Sequence, residues 1–183
     1  ATQDRGKIMD QLSAQDAQFL YMESRQNHIH VTAVAVFDPS TVPGGDIVRF
    51  KDILTHIEKR LHMSPLFRRR LVRVPMELDF PYWVNDEYFD LEYHVEHSRL
   101  PRPGDWRQFC IQLSRFHARP LDLSRPLWEM LVIEGLDHID EFPEGCYAIA
   151  TKLHHAAVDG ARIQNFYRYM VDVDNICTQA VSL

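Results

Sequence analysis

The sequence has 183 residues, 45% of them hydrophobic and 11% aromatic, with 20 basic against 26 acidic side chains and a formal charge of −6. This composition supports a packed core and excludes global disorder, and the length fits one domain. The acidic balance argues against nonspecific nucleic-acid binding as the main task.

Along the chain, Ser13 followed by Asp16 reads as a helix start, with Ala17, Leu20 and Tyr21 at helical spacing to about Glu23. The β-branched, apolar run from His30 to Phe37 predicts a mostly buried strand. Asp46 is placed to cap a second helix, whose stripe is Ile47, Phe50, Ile53, Leu54, Ile57 and Leu61; Pro65 ends it. Short strands are expected at Arg70–Pro75, Tyr82–Val84 and Tyr93–Glu96. A third helix is expected from Asp105 to His117, with Trp106, Phe109, Leu113 and Phe116 inward. Strands follow at Leu127–Ile133 and Gly145–Leu153, then a helix from about Asp159 to Val171 with Ile163, Phe166, Tyr167 and Met170 toward the core. The interleaving predicts an α/β or α+β mixed sheet with flanking helices, one domain over residues 1–172 and a linker over 173–183. No internal repeat or low-complexity tract interrupts it.

The segment carrying chemistry is His154-His155-Ala156-Ala157-Val158-Asp159-Gly160, lying between a strand and a helix. A side chain at a strand end is held by the sheet yet reaches a cleft. Histidine is the natural proton acceptor near neutral pH. An alcohol needs such an acceptor as it attacks a thioester. Adjacent residues on an extended chain point oppositely, so only one of the two histidines can be the base. The other packs or hydrogen-bonds behind it. Asp159, four residues after His155, is placed to cap the helix or pair with an arginine, and Gly160 to permit close approach.

That segment resembles the HHxxxDG signature of the CoA-dependent acyltransferases, which include chloramphenicol acetyltransferase-like enzymes and peptide-synthetase condensation domains. Three further segments resemble the bacterial wax ester synthase/diacylglycerol acyltransferase family. They are Ser64 to Leu71, Tyr82-Trp83-Val84 with Phe89-Asp90-Leu91, and Pro120-Leu121-Asp122 followed by Arg125-Pro126-Leu127-Trp128-Glu129. The resemblance runs from about Leu12 to Val171. It implies a chloramphenicol acetyltransferase-like fold, one half of a two-domain acyltransferase. It implies transfer of a fatty acyl group from acyl-CoA, a substrate rather than a cofactor, to a long-chain alcohol or diacylglycerol. The products would be wax esters or triacylglycerols. His155 would be the general base in a direct attack, with His154 beside it and Asp159 structural. Pro126, Leu127 and Trp128 would shape the acyl or alcohol channel. The family's second half, which carries an Asn-Asp motif, is not in these residues. A C-terminal half of the same enzyme is therefore an expected partner.

Other signals are weaker. Arg68, Arg69, Arg70 and Arg73 could steer CoA phosphates or anionic headgroups, but such a run is more often a solvated face. Cys110, Cys146 and Cys177 are odd in number, widely spaced and without a CxxC pair, so neither a disulfide framework nor a zinc site is expected, and a reducing, cytoplasmic setting fits. Cys146 lies too far up its strand to pair with the histidines. His28, His30, His94, His97 and His117 show no metal-ligand spacing, so no metal is expected. No secretory signal is legible, and no apolar run approaches the ~18 residues of a membrane span. Peripheral association with the inner membrane or lipid inclusions follows from the insoluble substrates that the resemblance implies. A homodimer is also open. Competing readings are an acyltransferase with another acceptor, such as an amine or sugar hydroxyl, a noncatalytic acyl-binding or scaffolding half, and, least favoured, a metal hydrolase using a histidine with Asp159.

Overall fold

The computed structural model describes residues 10–24, 27–41 and 48–158. Expectations for Asp46, Ile47, Asp159, Gly160, Cys177, the helix at 159–171 and the linker at 173–183 lie outside the described residues.

The main sheet has four strands: β2 (His30–Phe37), β5 (Val95–Arg99), β6 (Trp128–Glu134) and β7 (Tyr147–His154), in spatial order β2-β7-β6-β5. The pairs β2–β7 and β7–β6 are antiparallel, whereas β6–β5 is parallel. The parallel pair follows from the connection, because α4 (Trp106–Ala118) intervenes between β5 and β6 and carries the chain back across the sheet. A smaller antiparallel sheet joins β1 (Asp10–Gln11), β4 (Tyr82–Asn85) and β3 (Arg69–Val72) in the order β1-β4-β3.

Strand alternation divides the core in two. On one face of the main sheet, Ala148 and Ala150 of β7 and Leu131 and Ile133 of β6 receive Phe109, Leu113 and Phe116 of α4. The small alanines leave room for the phenylalanines. On the other face, Leu153, Trp128, Met130 and Val132 pack against Ala17 and Leu20 of α1 (Ala14–Met22), and against Ile53 and Ile57 of α2 (Phe50–Glu58). Residue 154 thus turns toward the α4 side and residue 155 toward α1.

Helix ends follow local chemistry. The side chain of Ser13 accepts the Asp16 N–H at 3.1 Å, and that of Asp105 accepts the Gln108 N–H at 2.9 Å. Both bonds satisfy amides that the first turn leaves open. α2 begins at Phe50, where Asp52 reaches back to the Arg49 N–H. Two expectations are corrected. The strand expected at Tyr93–Glu96 begins two residues later, as β5 at Val95, because Tyr93 and His94 belong to a helical turn, α3 (Leu91–His94), that runs directly into it. Asp90 starts the turn by accepting the Glu92 N–H at 3.0 Å. Trp106 has the periodicity of a core residue but is 46% exposed, because it occupies the first position of α4 and leans on Phe109 and Phe142 at the rim.

Candidate active site

The end of β7 carries His154 and His155. The backbone continues the sheet for one more step on each side. The His154 N–H donates to the Leu127 carbonyl at 3.1 Å, and the His155 N–H to the Ile29 carbonyl at 3.0 Å. The chain then folds into a tight turn, with the Ala157 N–H on the His154 carbonyl at 3.0 Å and the Val158 N–H on that of His155 at 3.3 Å. Ala156, Ala157 and Val158 are buried, so the turn is packed as well as hydrogen-bonded. Backbone amides 155 to 158 are all engaged within this frame.

The two histidines occupy different environments. His154 is fully buried. Its Nδ1 accepts the Ala156 N–H at 3.0 Å, which leaves the ring proton on Nε2, where it is donated in a short contact to the Glu23 carboxylate. Burial pushes the His154 imidazole below its ordinary pKa, against the opposing pull of Glu23. Both nitrogens are committed, so His154 shapes the turn. His155 is only half-buried, and its ring stacks on Phe19 of α1 with centroids 5.3 Å apart. Among the described residues its ring nitrogens meet no hydrogen-bond partner.

Glu23 is the residue the sequence reading misses. It closes α1 and stands close to His28 as well, at 3.6 Å from its Nδ1. One signal was present: an acid at a helix C-terminus opposes the helix dipole, which marks it for use elsewhere.

Pro126, Leu127 and Trp128 are buried. Trp128 donates its indole N–H to the Phe67 carbonyl at 3.0 Å, and the His94 ring stacks on it with centroids 4.6 Å apart. His94 in turn donates Nδ1–H to the Trp128 carbonyl at 2.7 Å, and burial holds its pKa below the ordinary range. Leu127 therefore touches the histidine segment through its carbonyl, while Trp128 anchors the strand beneath.

Behind the histidines on the α4 face lies Lys152, fully buried. Its ammonium donates to the carbonyls of Phe116 at 3.0 Å and Arg119 at 2.9 Å, and lies 2.9 Å from the Glu129 carboxylate. Burial lowers its pKa while Glu129 opposes that shift. His30, paired in register with His154, donates Nε2–H to the His117 carbonyl at 2.7 Å. Burial drives the His30 pKa down to about 4, which keeps it neutral.

The remaining candidates stand apart. Arg69 pairs with Asp10 at 2.6 Å, Arg70 approaches Asp86 at 3.9 Å, Arg73 pairs with Glu77 at 3.1 Å, and Arg68 lies over the Phe89 ring. Three of the four arginines are thus matched by acids. Cys146 is buried at the far end of β7. Among the described residues no group of three or more His, Cys, Asp or Glu is arranged to hold a metal ion, and no helix is long and apolar enough to cross a membrane.

The fold is that of one part of a larger, chloramphenicol acetyltransferase-like protein. The first condensation domain of the calcium-dependent antibiotic synthetase superposes with a TM-score of 0.69 over 90% of this chain and 36% of that one; at 15% identity the likeness is one of fold. The wax ester synthase/diacylglycerol acyltransferase from Marinobacter aquaeolei VT8 superposes with a TM-score of 0.66 at 30% identity, over 86% of this chain and 36% of that one. The model of the wax ester synthase/diacylglycerol acyltransferase catalytic domain matches residues 12–181, and the chain belongs to that family. A candidate diacylglycerol O-acyltransferase of Mycobacterium tuberculosis is 38% identical over 155 residues, which is 85% of this chain and 31% of the relative. Another is 36% identical over 162 residues, 88% of this chain and 31% of the relative. The chain therefore spans about a third of the length of these curated relatives.

Proposed function

We propose that this chain supplies the general base, His155, for transfer of a fatty acyl group from acyl-CoA to a long-chain alcohol or to diacylglycerol. The observation that carries the reading is the asymmetry of the histidine pair. His154 has both ring nitrogens bonded, whereas the half-buried His155 has none bonded among the described residues.

In this reading the acceptor hydroxyl hydrogen-bonds to a ring nitrogen of neutral His155. Its oxygen attacks the thioester carbonyl carbon while the proton passes to the imidazole. The tetrahedral adduct collapses with cleavage of the carbon–sulfur bond. The CoA thiolate takes the proton from the imidazolium, and the ester is released with CoA. The adduct's oxyanion needs donors. The amides of residues 155 to 158 are already bonded, so the donor is not among them. Asp159 and Gly160 begin the segment after this turn in the role of its structural support. Pro126, Leu127 and Trp128 back the acyl channel as rigid core and do not line it with polar groups. The C-terminal half completes the acceptor side, and the water-insoluble products place the enzyme at a membrane or lipid-inclusion surface.

The test is CoA release from palmitoyl-CoA by the protein at the full length of its relatives. It is offered in turn a long-chain alcohol, diacylglycerol, an amine and a sugar. Ester formation with the first two supports the reading. Transfer only to the amine or the sugar assigns a different acceptor, and acyl-CoA binding without turnover assigns a binding role.

A further inference from the structure

We propose that Lys152 is a positioning residue, which fixes His155 by tying the end of β7 to the C-terminus of α4; the inference rests on the base role given to His155 above. Lys152 precedes His154 by two residues on the same strand face. Its ammonium donates to the Phe116 and Arg119 carbonyls and forms an ion pair with the Glu129 carboxylate, and it also lies 4.5 Å from the Phe116 ring centre. Neighbouring register positions add ties to the same helix end. Thr32, the cross-strand partner of Lys152, shares a 2.9 Å hydrogen bond with His117 Nδ1, and His30, the partner of His154, bonds the His117 carbonyl.

An apolar side chain would fill this site without the desolvation cost of a buried ammonium. Apolar contact, however, is non-directional and would let the strand end slide against α4. Two directed hydrogen bonds and an ion pair do not. The last carbonyls of a helix lack partners within the helix and concentrate partial negative charge, so they suit a cation. A base must sit within hydrogen-bond reach of its proton donor, and a misplacement of about 1 Å costs on the order of 100-fold in rate. Lys152 supplies that accuracy without touching substrate.

The test compares two variants of the full-length enzyme, Lys152→Met and Lys152→Met combined with Glu129→Met. The single variant leaves Glu129 without its ammonium and loses stability. The double variant removes both charges and recovers most of it. Thermal unfolding, kcat and KM for acyl-CoA, and the imidazole nitrogen resonances of His154 and His155 are recorded for each. The proposal expects kcat to fall about 10- to 100-fold in both variants with KM within about twofold, and the His155 resonances to shift in both. Recovery of kcat together with stability in the double variant would show a purely structural role and overturn it, as would failure of both variants to fold. If the unmodified enzyme transfers no acyl group, the reading of function falls by itself. The resonances then decide on positioning alone, and unchanged His155 signals in the folded double variant overturn it.

Discussion

The carbonyl of Leu127 accepts the backbone N–H of His154 at 3.1 Å, so the two most distinctive segments of the sequence meet through the main chain. The Pro126-Leu127-Trp128 segment starts β6 and the histidine pair ends β7, and antiparallel pairing brings start and end together. Trp128 sits under this junction with its indole N–H on the Phe67 carbonyl. Replacing Trp128 by Phe keeps a ring against His94 but deletes that bond. The expected loss is about 1–2 kcal/mol in urea unfolding, against about 3–5 for Trp128→Ala. Unchanged stability in Trp128→Phe would show that the bond contributes nothing.

Glu23 and His154 define a second expectation. Glu23→Ala leaves the buried Nε2–H without an acceptor, at a cost of about 2 kcal/mol in stability. The freed ring can then adopt the other tautomer or rotate, which releases the Ala156 amide and loosens the turn carrying His155. Acyl transfer should fall by at least tenfold, and Glu23→Gln, which retains a neutral acceptor, should lie between the alanine variant and the unmodified enzyme. Histidine nitrogen resonances showing the same His154 tautomer in Glu23→Ala would contradict this account of the turn.

Much of this site was legible beforehand. The β-branched, apolar run at His30–Phe37, the β7 strand and the His154-His155 pair are local patterns, as is the Ser13 cap. The choice between the two histidines was not local. It depends on Glu23, which lies 131 residues from His154 and enters only through tertiary packing. Lys152 was equally hidden, because a lysine in an apolar strand gives no hint that helix carbonyls and Glu129 await it. The start of the strand expected at Tyr93–Glu96 was misplaced for a different reason: the Asp90 cap forms a turn over Tyr93 and His94 where β-prone residues suggest strand, and His94 is then drawn under Trp128.

Acid should destabilise the fold below about pH 6.5. His30, His94 and His154 all have pKa values lowered by burial, His30 to about 4. In the unfolded chain each takes up a proton near pH 6.5, while in the folded protein each stays neutral to lower pH. Between these limits the unfolded state binds more protons, so stability is full above about pH 6.5 and declines as pH falls through the window. For His30 the difference between 6.5 and about 4 corresponds to roughly 3 kcal/mol at most. Urea unfolding at pH 7.5 and pH 5 should show the loss, reduced in a folded His30→Gln variant. A midpoint independent of pH across this range would contradict neutral burial of these rings.

The most direct test of the central claim is the rate of CoA release from palmitoyl-CoA with a long-chain alcohol or diacylglycerol, measured for the full-length enzyme, His155→Ala and His154→Ala. Removing a general base should lower kcat by about 10²- to 10⁴-fold. The account predicts that His155→Ala falls in this range with unfolding temperature and acyl-CoA affinity retained, whereas His154→Ala loses stability along with activity because the turn it organises is undone. A His155→Ala enzyme that keeps its rate would contradict the account and remove His155 from the chemistry.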